Sequence, residues 1–181
     1  MSYTTIRFTS FPLTEPPPTF VVDIVEVFKQ SETAIATALL QKGLVSNEVL
    51  KLLAPGLKSL GFEIEAGKGA GQRIHRPVFF GENGRPQLRY EIDAFHSGWK
   101  CGLEVEAGRA WKGNAVYRDL VQALVMVDLE RLVLAVPNRY KYVSLGKAIV
   151  STDYENALAV ATAIFGHTRV RLPYQLTVIG Y

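Results

Sequence analysis

Tyr90-Glu91-Ile92-Asp93 and, after a short turn, Gly102-Leu103-Glu104-Val105-Glu106 decide how this chain is read. Side chains on a strand point to opposite faces with a period of two. Cys101, Leu103, Val105 and Ala107 therefore share one face, and Glu104 and Glu106 share the other. The segment His96-Ser97-Gly98-Trp99-Lys100 can reverse the chain and bring Asp93 beside Glu104. Three carboxylates held so close repel one another unless a divalent cation neutralises them. Such a cluster suits metal-assisted hydrolysis of a phosphodiester.

Two glutamates at alternate positions also describe the wet face of a half-exposed strand. The flanking sequence favours the sheet interior. Leu132-Val133-Leu134-Ala135-Val136 is continuously apolar, as a strand buried on both faces should be. Residues 114–129 carry Val116, Leu120, Ala123, Leu124 and Val127 at helical spacing. A strand–helix–strand unit of this length implies parallel strands with a right-handed crossover.

Asp93, then Glu104-Val105-Glu106, then a helix and an apolar strand, resembles the PD-(D/E)xK nuclease superfamily. Gly108, Asn114, Arg118, Asp119 and Leu120 after the Glu-Val-Glu narrow the resemblance to the BamHI/BglII-like restriction endonucleases. It covers residues 44–137. Two positions depart from the common pattern: Glu106 stands where most of the superfamily has Lys, and Ile92 where it has Pro. The resemblance implies an α/β, restriction-endonuclease-like fold, with a mixed β-sheet flanked by helices. It also implies a Mg²⁺- or Mn²⁺-dependent endonuclease acting on DNA, in all expectation double-stranded. The metal ligands would be Asp93, Glu104 and the backbone of Val105, with Glu106 as the third catalytic group. A non-catalytic DNA-binding module of the same fold, or an RNA or repair nuclease, is the alternative. A palindromic target would call for a homodimer.

The remainder of the chain fits one domain. At 181 residues, 48% apolar and 20% charged, the composition is that of a soluble globular protein. The net charge of +3 is compatible with a polyanionic partner without demanding one. A lone Cys101, on the face opposite Glu104, is expected in the core, and the expected compartment is the cytoplasm. Residues 1–18 read as an N-terminal arm ending in the linker Thr14-Glu15-Pro16-Pro17-Pro18, and residues 19–181 as the nuclease-like domain. No secretory signal or membrane span is expected.

Residues 19–28 suggest a helix more than a strand. Ser31 can cap a helix running to Lys42, with Gly43 as its stop. Ser46 can cap another, broken or restarted at Pro55-Gly56, and Phe62-Glu63-Ile64-Glu65 then begins the sheet. Residues 73–80 and 87–93 form a hairpin across Glu82-Asn83-Gly84-Arg85, where Asn-Gly is a strong turn signal. A helix over residues 153–165 and a strand near residues 174–179 complete the order.

Candidate nucleic-acid contacts are Lys68, Arg73 and Arg76 around the glycine loop at residues 67–71, and Arg109 and Lys112 just past Glu106. Arg139 and Lys141, interleaved with Tyr140 and Tyr142 in a loop after the apolar strand, suit phosphate contact and stacking. For the first group a mobile turn is the competing reading, for the last a solvated loop. His75, His96 and His167 show no metal-ligand spacing. Glu48 either reaches the site or favours its helix dipole, and Asn114, Arg118 and Asp119 orient the helix beside the site.

Overall fold

The computed structural model describes residues 4–40, 43–67, 69, 71–108, 114–144 and 146–181. In chain order the elements are β1 (Arg7–Phe11), α1 (Phe20–Gln30), α2 (Glu32–Ile35), α3 (Ser46–Ser59), β2 (Glu63–Ile64), β3 (Ile74–Phe80), β4 (Pro86–Ile92), β5 (Ala94–His96) and β6 (Cys101–Val105). There follow α4 (Ala115–Val125), β7 (Arg131–Val136), β8 (Tyr140–Ser144), β9 (Lys147–Ser151), α5 (Asp153–Gly166) and β10 (Gln175–Gly180). Six strands build a mixed sheet in the order β1-β10-β7-β6-β5-β2. The strands β6, β7 and β10 run parallel at its centre, while β1, β5 and β2 join antiparallel.

The period-two pattern divides the sheet between two cores. Cys101, Leu103, Val105, Val133, Ala135 and Ile179 face α1 and α3. Leu132, Leu134, Val136, Leu176 and Val178 face α4 and α5. This is the expected α/β architecture, and the expected face for Cys101: it is a buried free thiol whose pKa burial pushes up to about 12. Helix α1 buries Val21, Ile24, Val25 and Phe28, a stripe at helical spacing that drives it onto the sheet.

Several expectations are corrected. Residues 7–11 are not a separate arm but an edge strand, paired along its length with β10. The helix expected from Ser31 to Lys42 is the short α2, ending at Ala36 in extended backbone, with Lys42 itself outside the described residues. Helix α3 runs through Pro55 and Gly56 without a break, and its N-cap position is Val45 rather than Ser46, with no side-chain cap. Its buried face, Val49, Leu50, Leu53 and Leu57, continues across the proline. Gly56 lets Val27 of α1 approach so closely that a Cβ there would lie 2.7 Å from Val27 Cγ1. Tertiary packing thus holds a helix that local propensity would interrupt.

The β3–β4 hairpin forms, with Asn83 and Gly84 at positive φ in its turn. It is nonetheless a separate two-stranded sheet, not part of the main one. Pro77 lacks an N–H in mid-strand, the pairing shifts register beside it, and Phe79 and Phe80 stay exposed. The basic loop after β7 is likewise a hairpin, β8–β9. Helix α4 is shorter than its apolar pattern. Val116, Leu120 and Ala123 are buried; Leu124 lies on the exposed side of the helix, and Val127 is exposed beyond the extended backbone at Met126. Among the described residues no helix is long and apolar enough to cross a membrane.

Candidate active site

The turn at residues 97–100 does what its sequence suggests. Lys100 adopts positive φ, and His96 locks the turn: its Nδ1 accepts the Trp99 N–H at 3.0 Å while its ring stacks on Trp99 at 3.8 Å. Its Nε2 lies 3.0 Å from the Leu60 carbonyl, so both ring nitrogens of His96 are spent on structure. The turn sets β5 against β6 with Ala94 opposite Leu103. One step further, at the bend between β4 and β5, Asp93 comes opposite Glu104.

The two side chains line one cleft. Asp93 Oδ2 accepts the Val105 N–H at 2.8 Å. The Val105 backbone thus already contacts Asp93 through its N–H. Burial, with Glu65 and Glu106 adding their negative charge, raises the Asp93 carboxyl to about 7. Burial also pushes Glu104 well up, and Asp93, Asp119 and Glu106 reinforce the shift.

Glu106 continues the same strand line past the end of β6. Its N–H bonds the Ala135 carbonyl at 2.9 Å, and its own carbonyl accepts the Tyr181 hydroxyl at 2.8 Å. Its carboxylate takes Arg118 Nη2 at 2.8 Å. Arg118 and Asp119, adjacent on α4, were read from sequence as orienting the helix; the structure turns both into the site. Asp119 is 2% exposed, and its Oδ1 accepts Arg118 Nη2 at 2.8 Å and Nε at 3.0 Å. Its Oδ2 is buried without a hydrogen-bond partner, and burial together with Glu106 raises the carboxyl to about 8.

These groups line a cleft of about 470 Å³, with Ser46 and Asn47 of α3 and Glu65 on one side and the β3–β4 hairpin on the other. Glu65, which donates its N–H to the Asp93 carbonyl at 2.9 Å, is a carboxylate the sequence reading passed over. Its strand alternation was the available signal. Ser46 also does a different job from the one expected, its hydroxyl accepting the Ala107 N–H at 3.1 Å. Glu48 closes the first turn of α3, accepting the Val45 N–H at 3.3 Å, and is not a cleft residue.

The expected nucleic-acid contacts fare unequally. Arg73 lines the cleft but is paired with Glu91, which also has His75 at 3.7 Å. Arg76 turns inward to Asp128, with its guanidinium 3.8 Å from the Phe95 ring centroid. Arg139 is exposed and Lys141 reaches the Leu40 carbonyl at 3.4 Å; neither lines the cleft. Tyr140 stacks on Tyr142 and covers Gly108, whose positive φ and lack of a Cβ admit the ring. Lys68, Arg109 and Lys112 lie outside the described residues.

Whether the site suits a divalent cation can be judged from its donors. Among the described residues no three His, Cys, Asp or Glu side chains form a ready cage. Mg²⁺ rarely needs one, because it keeps several waters and takes one or two carboxylates together with substrate oxygens. Asp93 and Glu104 are such a pair, half-buried hard oxygen donors with an excess of negative charge around them that protons or a cation can relieve. The residues fit the ion. No protein-family model matches this sequence, and no curated protein matches it at a significant level.

Proposed function

We propose that the protein is a metal-dependent endonuclease that hydrolyses phosphodiester bonds in DNA, as its resemblance to the PD-(D/E)xK superfamily implies. The observation that carries this reading is the half-buried Asp93–Glu104 pair lining one cleft, Asp93 just before β5 accepting the N–H of Val105 next to Glu104 on β6, with both carboxyls raised. Asp93 and Glu104 would hold Mg²⁺ or Mn²⁺. Once bound, the ion would polarise the phosphoryl group and lower the pKa of a coordinated water. Glu106 would orient the attacking water and accept its proton; burial raises its carboxyl, and Arg118 opposes that rise. Hydroxide oxygen bonds to phosphorus, one P–O ester bond breaks, and the leaving oxygen is protonated from solvent.

Incubation of supercoiled plasmid with the protein is expected to give nicked or linear product with Mg²⁺ or Mn²⁺ and none with chelator. Intact plasmid across a panel of DNA and both metals would refute the reading. One observation favours a second reading, a DNA-binding module without catalysis: Glu106 is engaged by Arg118 rather than free. DNA retention with no product at any metal concentration would establish it.

The homodimer has a candidate surface on the outer face of α4. Val121, Leu124 and Val125 are exposed there, although the inner face of the helix is already buried in the core. A helix apolar on both faces is expected to be covered on both. Sedimentation should show a dimer that Val121→Glu dissociates. A wild-type monomer at micromolar concentration on duplex DNA would remove the homodimer from the proposal.

A further inference from the structure

The cation nearest the carboxylates among the described residues is Arg118, and its posture is not that of a residue serving only to neutralise them. Asp119 is almost wholly inside, its side chain 1% exposed, yet the Arg118 side chain bonded to it is 57% exposed. Nε and Nη2 of the guanidinium are committed to Asp119 Oδ1 and Glu106 Oε1. Among the described residues Nη1 has no acceptor, so two N–H donors remain on the edge left over. Two carboxylates fix the plane of the group, and little side-chain freedom is left to lose when an anion arrives. The other described cations of the cleft wall are placed differently, Arg73 with Glu91 and Arg89 out on the exposed face of β4.

We infer that Arg118 is the anion-binding residue of the cleft. Asp119 and Glu106 hold its guanidinium, and its free Nη1 edge takes a phosphoryl oxygen of a phosphodiester lying against Asp93 and Glu104. The inference rests on the phosphodiester reading for its ligand. Arg118 touches the substrate, and Asp119 is a positioning residue acting through it. A permanently charged, planar group already held in place suits a phosphoryl oxygen better than the mobile point charge of a lysine does.

The test titrates inorganic phosphate into the full chain with Mg²⁺ present, read by NMR at the Arg118 Nε–H and at the backbone amides of Glu106 and Asp119. No turnover is needed, so the outcome stands whether or not plasmid is cut. Saturable shifts are expected in the wild type. Arg118→Gln should abolish the amide shifts, and Arg118→Lys should retain them with roughly tenfold weaker affinity, the loss of about one hydrogen bond. If DNA is cut, Arg118→Gln should lower kcat on the order of 100-fold, as removal of a charge-stabilising donor does, and leave Mn²⁺ affinity unchanged or tighter. Asp119→Asn should raise KM for DNA more than it lowers kcat. Removing Arg118 alone leaves Asp119 buried and uncompensated, so Arg118→Gln/Asp119→Asn guards against misfolding and should also lose the phosphate shifts. Phosphate shifts that persist in Arg118→Gln or in Arg118→Gln/Asp119→Asn would overturn the inference, as would an Arg118 Nε–H that does not move in the wild type. Loss of Mn²⁺ affinity in Arg118→Gln with phosphate shifts intact would assign the residue to the carboxylates alone.

Discussion

Asp93→Asn is expected to abolish Mg²⁺-dependent DNA cleavage while making the metal-free protein more stable at pH 8. The loss should be roughly 10²–10⁴-fold, equivalent to the several kcal/mol of transition-state charge stabilisation a bound metal supplies. Asparagine keeps an oxygen for the Val105 N–H, now accepted by Asp93 Oδ2, so the bend between β4 and β5 has no reason to change. What disappears is a negative charge held against Glu65 and Glu106 in a half-buried setting. Relief of that repulsion should add about 1–3 kcal/mol to stability above neutral pH. Glu104→Gln should behave likewise, since Asp93, Asp119 and Glu106 all raise its carboxyl. Plasmid cleavage and chemical denaturation on the same samples check both halves. An Asp93→Asn protein that cuts at the wild-type rate would show that the site is misplaced. One that is inactive and less stable would show that Asp93 serves the fold.

The metal-free protein should lose stability as pH rises from about 5 to 9, and Mg²⁺ should oppose that loss. Asp93 is raised to about 7 and Asp119 to about 8, both by burial first. The native state then binds more protons than the unfolded chain, whose aspartates titrate near ~3.9. Their contribution is complete below that unfolded value and falls as pH passes through the folded values. Each unit of upward shift costs about 1.4 kcal/mol once the group is ionised. Glu32 and Glu155 run the other way. Burial works against their ionised forms, but hydrogen bonds from Thr5 and Thr4 to Glu32, and from Arg7 to Glu155, outweigh it and lower both carboxyls. They protect the fold at neutral pH and fail only in acid. Mg²⁺ binds deprotonated ligands, so it should raise the melting temperature more at pH 8 than at pH 5. Thermal melts across this range, with and without Mg²⁺, provide the measurement. A flat metal-free profile would mean that Asp93 and Asp119 are solvated.

The central architecture was legible because it follows from local periodicity. Alternation at residues 101–107 put Cys101, Leu103 and Val105 on one face and Glu104 on the other, and the two cores confirm that division. The apolar run at residues 132–136 required a strand covered on both sides, and β7 sits at the sheet centre between β6 and β10. The reversal at residues 97–100 carried Asp93 to Glu104 because its span allows a tight antiparallel pair. What pairs over long separation was not legible. Nothing local in residues 7–11 says that they will add to β10, nor does the β3–β4 hairpin announce that it will leave the main sheet. Proline at position 55 argued for a break that packing of Leu53 and Leu57 overrules. The site shows the same division. Its strand carboxylates are set by alternation, but the docking of α4 alone turns Asp119 inward with Arg118 across it, and the approach of β2 alone brings Glu65 to Asp93. Sequence spacing determines which side chains share a face. Which faces then meet, and which cations are already spent on partners such as Glu91 and Asp128, depends on burial summed over the whole chain.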